Sequence, residues 1–212
     1  MPIIFGIVVS LIPVKKERKG NAGIDFAHLS ERAMLYVVFT FGEMVIAIAE
    51  YFDGELNFNS IYFSLMAFLI VVGLFLSYGT FYDKIIDREQ ENNGLFYMLL
   101  HIFIIFAQNS ITSSLEFMRD GNMKLLPKEA FLIGSLFTFF VFLFLTRRYS
   151  RTVCRPTAKF YMQMILIAIS FVVLMIIFRD NMCVNITISA GYIWIVYSVI
   201  YWMSRKERHV SS

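Results

Sequence analysis

Long apolar runs separated by short polar segments make up most of the chain. Six runs approach or exceed the roughly 18–20 residues that a helix needs to cross a bilayer, and their charges gather at the ends. Because backbone groups in hydrocarbon must be satisfied within their own segment, such runs form helices. The predicted spans are Ala33–Phe52, Ser60–Tyr82, Gly94–Phe117, Glu129–Thr146, Phe160–Phe178 and Cys183–Met203.

The segments outside these spans complete a single predicted domain. Pro2–Pro13 is apolar but only about half as long as a span, and it lacks the charged start and cleavage site of a signal peptide, so we interpret it as a short or truncated helix. Residues 1–32 then hold this helix and a basic segment, residues 33–203 an all-α bundle of six spans, and residues 204–212 a tail.

Composition agrees with this pattern and adds an orientation. The chain is 58% hydrophobic and 17% charged, which is too apolar for a soluble domain. All but four of its 19 Lys and Arg residues fall on one predicted side of the membrane, the exceptions being Arg119, Lys124, Lys128 and Arg179. Since cytoplasmic loops collect positive charge, we expect the chain to end in the cytoplasm, with its basic loops against anionic lipid headgroups rather than nucleic acid.

Catalytic and metal-binding motifs are missing from the sequence. There is no H-E-x-x-H, C-x-x-C or nucleophile elbow, and the chain has three histidines. Cys154 and Cys183 are predicted on opposite sides of the bilayer, where they cannot pair. We therefore expect no cofactor, no metal and no disulfide within one chain, and an enzyme is the less favoured class.

One face of the first span carries a row of charges. At about 100° per residue, Glu43 lies about 20° from Arg32, Glu50 returns to about 0°, and His28 joins at about −40° if the helix begins that early. Glu43 would lie about 15 Å inside the span that begins at Ala33, near the midplane. Because a charge at that depth costs about 2.5–3.5 kcal/mol or more, we expect this face to turn toward the other helices or water, with Glu31 at the interface.

A second polar face on the third span is the predicted partner of Glu43. His101, Gln108, Thr112 and Glu116 fall within about 80° of one another. His101 could exchange a proton with Glu43, or His101 and Gln108 could be hydrogen-bonding groups that hold helices together. For Glu50 and Glu116, we favour simple contact with water. Asp83 could pair with Arg32 or remain a solvated loop acid.

Several of these residues resemble the signature of a known family. His28, Glu31 and Arg32, written H-x-x-E-R, and the Gly42-Glu43 pair that follows resemble the bacterial low temperature requirement A (LtrA) family. The second span, which ends in FYDK, resembles that family's aromatic stretch closing with Tyr-Phe-Asp, and His101 matches a histidine in the next helix.

The resemblance implies a multi-pass protein of the bacterial plasma membrane that is linked to growth in the cold. The family positions that carry over are His28, Glu31, Arg32, Glu43, Asp83 and His101. Family members usually have further spans in front, so this chain looks like the C-terminal half of one. A site shared between halves would then need the N-terminal half or a second copy as a partner.

Two functions remain open, and a third, an intramembrane enzyme acting on lipid, has only the basic cytoplasmic rim in its favour. In the first, Glu43 is the midplane carboxylate of a proton- or cation-linked transporter or channel, gated by His28 and Arg32, with His101 and Gln108 on the opposite wall. In the second, the protein is a membrane organiser or sensor whose Arg32 and Glu43 form a structural buried network. A water-filled path to Glu43 distinguishes them, because only transport needs one.

Overall fold

The computed structural model describes residues 26–52, 58–88, 94–119, 125–151, 158–179 and 181–206. The expected short helix at Pro2–Pro13 and the end of the tail lie outside the described residues. The element bounds are α1 Phe26–Ala49, α2 Phe58–Thr80, α3 Leu95–Arg119, α4 Leu125–Leu145, α5 Ala158–Ile177 and α6 Met182–Lys206. Short helical turns extend α1 over Glu50–Phe52, α2 over Phe81–Ile85 and α4 over Thr146–Tyr149.

The six predicted spans are confirmed, since the described residues form six helices long and apolar enough to cross a membrane. Two of them begin earlier than the sequence pattern indicated by four residues or more, whereas the other starts differ by one or two residues. α1 begins at Phe26 rather than Ala33, because Phe26 is itself a packing residue whose ring contacts Tyr97 and Tyr149. α4 begins at Leu125, which places Glu129 inside its second turn rather than at its start.

The helices close into one bundle around an apolar core. α3 packs most extensively on α4 and α2 on α6, while α1 lies against both α3 and α2, and α6 against α5. Aromatic rings fill the centre: Phe41 of α1 meets Phe75 and Phe139, and Tyr192 of α6 stacks on Phe171 of α5. Without a water-driven force between helices in lipid, this close packing is what holds the bundle together.

The α2–α6 contact depends on a glycine. A Cβ added at Gly73 would lie 2.6 Å from Cγ2 of Ile193, and the indole Nε1–H of Trp194 donates to the Leu69 carbonyl at 3.2 Å. Ser77, one turn further along α2, is buried and donates to the Gly73 carbonyl. Gly73 and Ser77 are four residues apart, a spacing of small residues that lets two helix backbones approach closely.

The two ends of the bundle are built differently. At one end, which we call the Gly94 end, the backbone of Ile86 pairs with that of Ser150, so the segment after α2 is tied to the segment after α4. The Asp87 amide donates to the Tyr149 carbonyl at 2.8 Å, and the Arg151 amide to the Ile85 carbonyl at 2.9 Å. At the other end, the Asn185 end, the starts of α4 and α6 are joined through side chains, Asn185 to Glu129.

Candidate functional site

The row of charges on α1 faces away from the bundle, which corrects the prediction that it turns inward. His28, Arg32, Glu43 and Glu50 are all exposed, and we call this row the charged face. The buried residues of α1, which include Ala33, Val37 and Met44, are centred on another side of the helix, about 130° from Arg32. α3 and α2 already occupy that opposite side, so the charged face has no described helix against it.

Glu43 also lies further along its helix than expected. It is about 9 Å from Ala49 and about 25 Å from Phe26, because the helix begins seven residues early. Its neighbours on the charged face are the exposed apolar side chains Phe39 and Ile46. Gly42 beside it has nothing within 4 Å of an added Cβ, so no packing in the described chain requires a glycine there.

The two predicted polar faces do not meet. His101 and Gln108 of α3 are buried, at 2% and 0% exposed, against the inner sides of α1 and α2. The Gln108 amide nitrogen approaches the Val37 carbonyl at 3.4 Å, on the side of α1 opposite Glu43. The proposed wall of His101 and Gln108 facing Glu43 is therefore wrong. Arg32 and Glu43 are both exposed and about 16 Å apart along one helix, so the buried Arg–Glu network is wrong within one chain as well.

His101 is held in one tautomer by two hydrogen bonds. Its Nδ1 lies 2.8 Å from the Tyr97 carbonyl, which can only accept, so Nδ1 carries the hydrogen. Nε2 is then an acceptor, and the Tyr78 hydroxyl donates to it at 3.0 Å. The structural alternative for His101 is thus what the geometry shows: it ties α3 to α2. We define the tyrosine–histidine cluster as Tyr78, Tyr82, Tyr97, Tyr149 and His101.

Arg88 borders this cluster at the Gly94 end, and two of the family-pattern residues, Asp83 and Glu31, act on its charge. The guanidinium of Arg88 sits over the Tyr82 ring at 5.1 Å. The pKa of Arg88 is raised by the nearby Tyr82 hydroxyl, against the lowering effect of burial, and further by the carboxylates of Asp83 and Glu31. Asp83 is exposed, so the solvated alternative describes it better than a pair with Arg32. Arg88, which the sequence pattern did not single out, lies over Tyr82 in the turn that follows α2.

His28 and Glu31 form a pair on the surface of α1. Nδ1 of His28 lies 3.9 Å from Oε2 of Glu31, and both side chains are exposed, at 76% and 56%. An exposed pair of this kind contributes little to stability. At the opposite end of the bundle, Glu50 and Glu116 are exposed, as predicted. The negative charge of Glu116 affects the pKa of Tyr51. Burial first, and then Glu116, raises the pKa of Tyr51 to about 12, while the Arg119 guanidinium lies 4.2 Å from its ring.

Gln108 behaves as a packing residue with an unsatisfied atom. Its Oε1 is buried and has no hydrogen-bond partner among the described residues. We expect Gln108→Met, which keeps the side-chain length and removes the stranded oxygen, to leave the free energy of unfolding unchanged or to raise it by about 1 kcal/mol. SDS-induced unfolding in mixed micelles measures this. Gln108→Ala is the control and should lose about 2 kcal/mol or more through the cavity it creates. A large loss in the Met variant would contradict this assignment.

The Asn185 end holds a buried carboxylate that sequence reasoning also missed. Glu129 is 5% exposed, and its Oε1 accepts a hydrogen bond from the Asn185 amide, which is fully buried. The available signal was an asparagine inside the last span, which needs a partner in the membrane. Glu129 went unnoticed because it was placed at the predicted boundary of its span.

No group of three His, Cys, Asp or Glu side chains that could hold a metal ion occurs in the part of the chain that the structure describes. The ionisable residues described above instead lie in four separate features: the charged face of α1, the tyrosine–histidine cluster with Arg88, the Glu129–Asn185 pair, and Tyr51 with Glu116 and Arg119.

The family comparison covers nearly the whole chain. Residues 1–197 match the family described as bacterial low temperature requirement A protein (LtrA). Among curated proteins and among solved structures, no match was found. The match includes all the resemblance residues, from His28 to His101, and a bundle of six membrane-spanning helices accompanies it. The chain is therefore an integral membrane protein that belongs to the bacterial LtrA family.

Proposed function

We propose that this protein is a proton- or cation-linked transporter or channel in which Glu43 is the working carboxylate. In this proposal the site of action is the charged face of α1 rather than the interior of the bundle, because Glu43 is exposed. Glu43 then works at a boundary between α1 and another transmembrane element. The family description supports a link to growth at low temperature, which such transport would serve.

The observation that carries the proposal is a carboxylate inside an apolar helix, on its outward face. Glu43 is exposed, and its neighbours are Phe39 and Ile46, at 66% and 64% exposed. Contact between this carboxylate and acyl chains would cost about 2.5–3.5 kcal/mol or more, so membrane proteins turn such groups toward protein or water. A carboxylate that costs this much free energy is explained if it performs a task that an apolar side chain cannot perform.

The cover for this face is another transmembrane segment, contributed by the N-terminal half of a longer protein or by a second copy. Gly42 supports close approach, since the space above it is open and glycine at a helix surface lets a second backbone come near. Once covered, Glu43 would lie between α1 and that segment, and water along the contact between the two helices would supply the path that transport needs.

The orientation also belongs to this proposal. Basic side chains collect at the Gly94 end, where the Lys84 ammonium lies 4.3 Å from the Tyr201 ring and Arg147 lies over Tyr161. Because positive charge concentrates on the cytoplasmic side, we place the Gly94 end and the C-terminus in the cytoplasm of a bacterial cell. These cations would contact anionic headgroups there.

We expect Glu43→Gln to reduce proton or cation flux to background in liposomes that contain the purified protein. The amide keeps the shape of the side chain but can neither carry a charge nor exchange a proton, so only transport should suffer. The measurement is quenching of a pH-sensitive dye, or uptake of a labelled cation, under an imposed gradient. Circular dichroism establishes that the variant is folded.

Glu116→Gln is the matched control, because it makes the same change at an exposed glutamate away from the charged face. Its flux should equal that of the wild type. Equal flux in wild type and Glu43→Gln would overturn the proposal, and so would equal loss in both variants.

The second candidate is a membrane organiser or sensor. It is favoured by the rigid Gly94 end, where a backbone bridge between Ile86 and Ser150 and the cations near Tyr201 would present a fixed basic surface to lipid. The flux measurement separates the two candidates. An organiser gives no flux above empty liposomes in the wild-type protein, whatever stands at position 43.

A further inference from the structure

We propose that Glu129 is a proton-binding site, in which Asn185 is built to hold the carboxyl in its protonated form. The pair joins the second turn of α4 to the first turn of α6 at the Asn185 end. Glu129 is 5% exposed and Asn185 0% exposed. Among the carboxylates that the structure describes, Glu129 is the buried one, whereas Glu43 and the others lie at the surface.

The hydrogen bond between the two side chains fixes the orientation of the amide. An ionised carboxylate can only accept, so it is Nδ2 of Asn185 that donates to Oε1 of Glu129. The same nitrogen approaches the Arg179 carbonyl at 3.4 Å, which can only accept as well. Exchange of the amide nitrogen and oxygen is therefore opposed by two acceptors, so Oδ1 keeps its position in the group.

That oxygen is left without a donor. Oδ1 of Asn185 is buried and has no hydrogen-bond partner among the described residues. A buried amide oxygen normally finds a partner, because leaving it without one forfeits the hydrogen bond that water provides. The pair therefore has an acceptor in place with no hydrogen to fill it while Glu129 is ionised.

A proton on Glu129 supplies the missing hydrogen. A carboxylic acid and a primary amide can form two hydrogen bonds at once: the acid O–H donates to the amide oxygen, and the amide N–H donates to the acid carbonyl oxygen. The step is uptake of one proton from water by the carboxylate, and no other covalent bond forms or breaks. The existing Nδ2 bond is kept, and the vacant bond at Oδ1 is made.

Several charged groups surround the pair. Lys128 precedes Glu129 on α4 and is 5% exposed, and Arg179 lies in the turn before α6. On α6 itself the nearest titratable side chain in sequence is Cys183, and on α3 Glu116 and Arg119 are exposed beside Tyr51. Proton uptake would leave the cations of Lys128 and Arg179 with one anion fewer, so it changes the charge balance of the whole Asn185 end.

In the proposed orientation this end faces outward, so the proton comes from the external solution. Its use in transport rests on the proposed function, with Glu129 receiving the proton on one side and Glu43 acting further along the bundle. The binding of the proton rests only on the Glu129–Asn185 geometry.

Difference infrared spectroscopy on the full chain in lipid nanodiscs tests the site. Acidification should produce the C=O stretching band of protonated carboxyl groups, and Glu129→Gln should remove one carboxyl per chain from it. The Gln side chain has the shape of the protonated acid and can make the same two bonds to Asn185, so the variant should fold. Asn185→Val removes both bonds and should shift the frequency of the same band component.

Glu116→Gln is the control, since it removes an exposed carboxyl whose component should not respond to Asn185→Val. An acid-difference band that is identical in wild type and Glu129→Gln would overturn the inference. A Glu129 component that keeps its frequency in Asn185→Val would also overturn it. Neither infrared measurement involves flux. Failure of the transport proposal would therefore not change the infrared result, and failure of the infrared test would not change the measured flux.

Discussion

Gly94→Ala should lower the free energy of unfolding by about 2–4 kcal/mol. Gly94 precedes α3 with a φ of 61°, a left-handed conformation that costs a residue with a Cβ roughly 1–2 kcal/mol. An added Cβ would also lie 2.2 Å from Cδ2 of Leu29 and 3.3 Å from Cδ2 of Phe26, so both side chains on the first turn of α1 would have to shift. Crowding of this kind adds about 1–3 kcal/mol. SDS unfolding followed by circular dichroism measures the loss.

Gly134→Ala is the matched control for that experiment. Gly134 lies inside α4 with nothing within 4 Å of an added Cβ, so alanine there should be neutral or slightly stabilising. Equal stability of the two variants would show that the turn before α3 can adopt another conformation without cost.

The His101–Tyr78 hydrogen bond should give a large interaction energy in a double-mutant cycle. His101→Phe leaves the buried Tyr78 hydroxyl without its acceptor, and Tyr78→Phe leaves Nε2 of His101 without its donor. Each single change should lower the free energy of unfolding by about 1–3 kcal/mol, because a buried polar atom loses its partner. The double variant removes both atoms, so its loss should fall short of the sum by about 1 kcal/mol or more.

The matched control for the cycle is Tyr78→Phe combined with Gly134→Ala. These positions share no contact among those the structure shows, so their effects should add within about 0.5 kcal/mol. If His101→Phe and Tyr78→Phe also added, the two side chains would not act as a bonded pair, and a role for His101 in proton transfer would regain support.

The spans could be predicted because their physical cause is local. A run of apolar residues long enough to cross hydrocarbon must become a helix, whatever surrounds it. The start of α1 was placed too late for the opposite reason: residues 26–32 contain charges, and only the packing of Phe26 on Tyr97 and Tyr149 shows why the helix continues there.

The direction in which each helix faces could not be predicted in the same way. In water the apolar side of a helix marks the core, but in a membrane both the core and the lipid-facing side are apolar. Leu35, Phe39 and Ile46 on the outside of α1 are as hydrophobic as Val37 and Met44 on the inside. The sequence therefore indicated that the charge of Glu43 costs free energy in the membrane and that His101 needs a polar partner. It did not indicate which residues surround either side chain.

The backbone bridge between Ile86 and Ser150 restricts how the bundle can move. A ladder bond between main chains does not yield to a change of rotamer, whereas the Glu129–Asn185 contact at the far end depends on two side chains alone. We therefore expect α2 and α4 to stay together at their bridged ends and to move apart at their opposite ends. Any widening of the helix array should be smallest beside Ser150 and greatest where α6 begins.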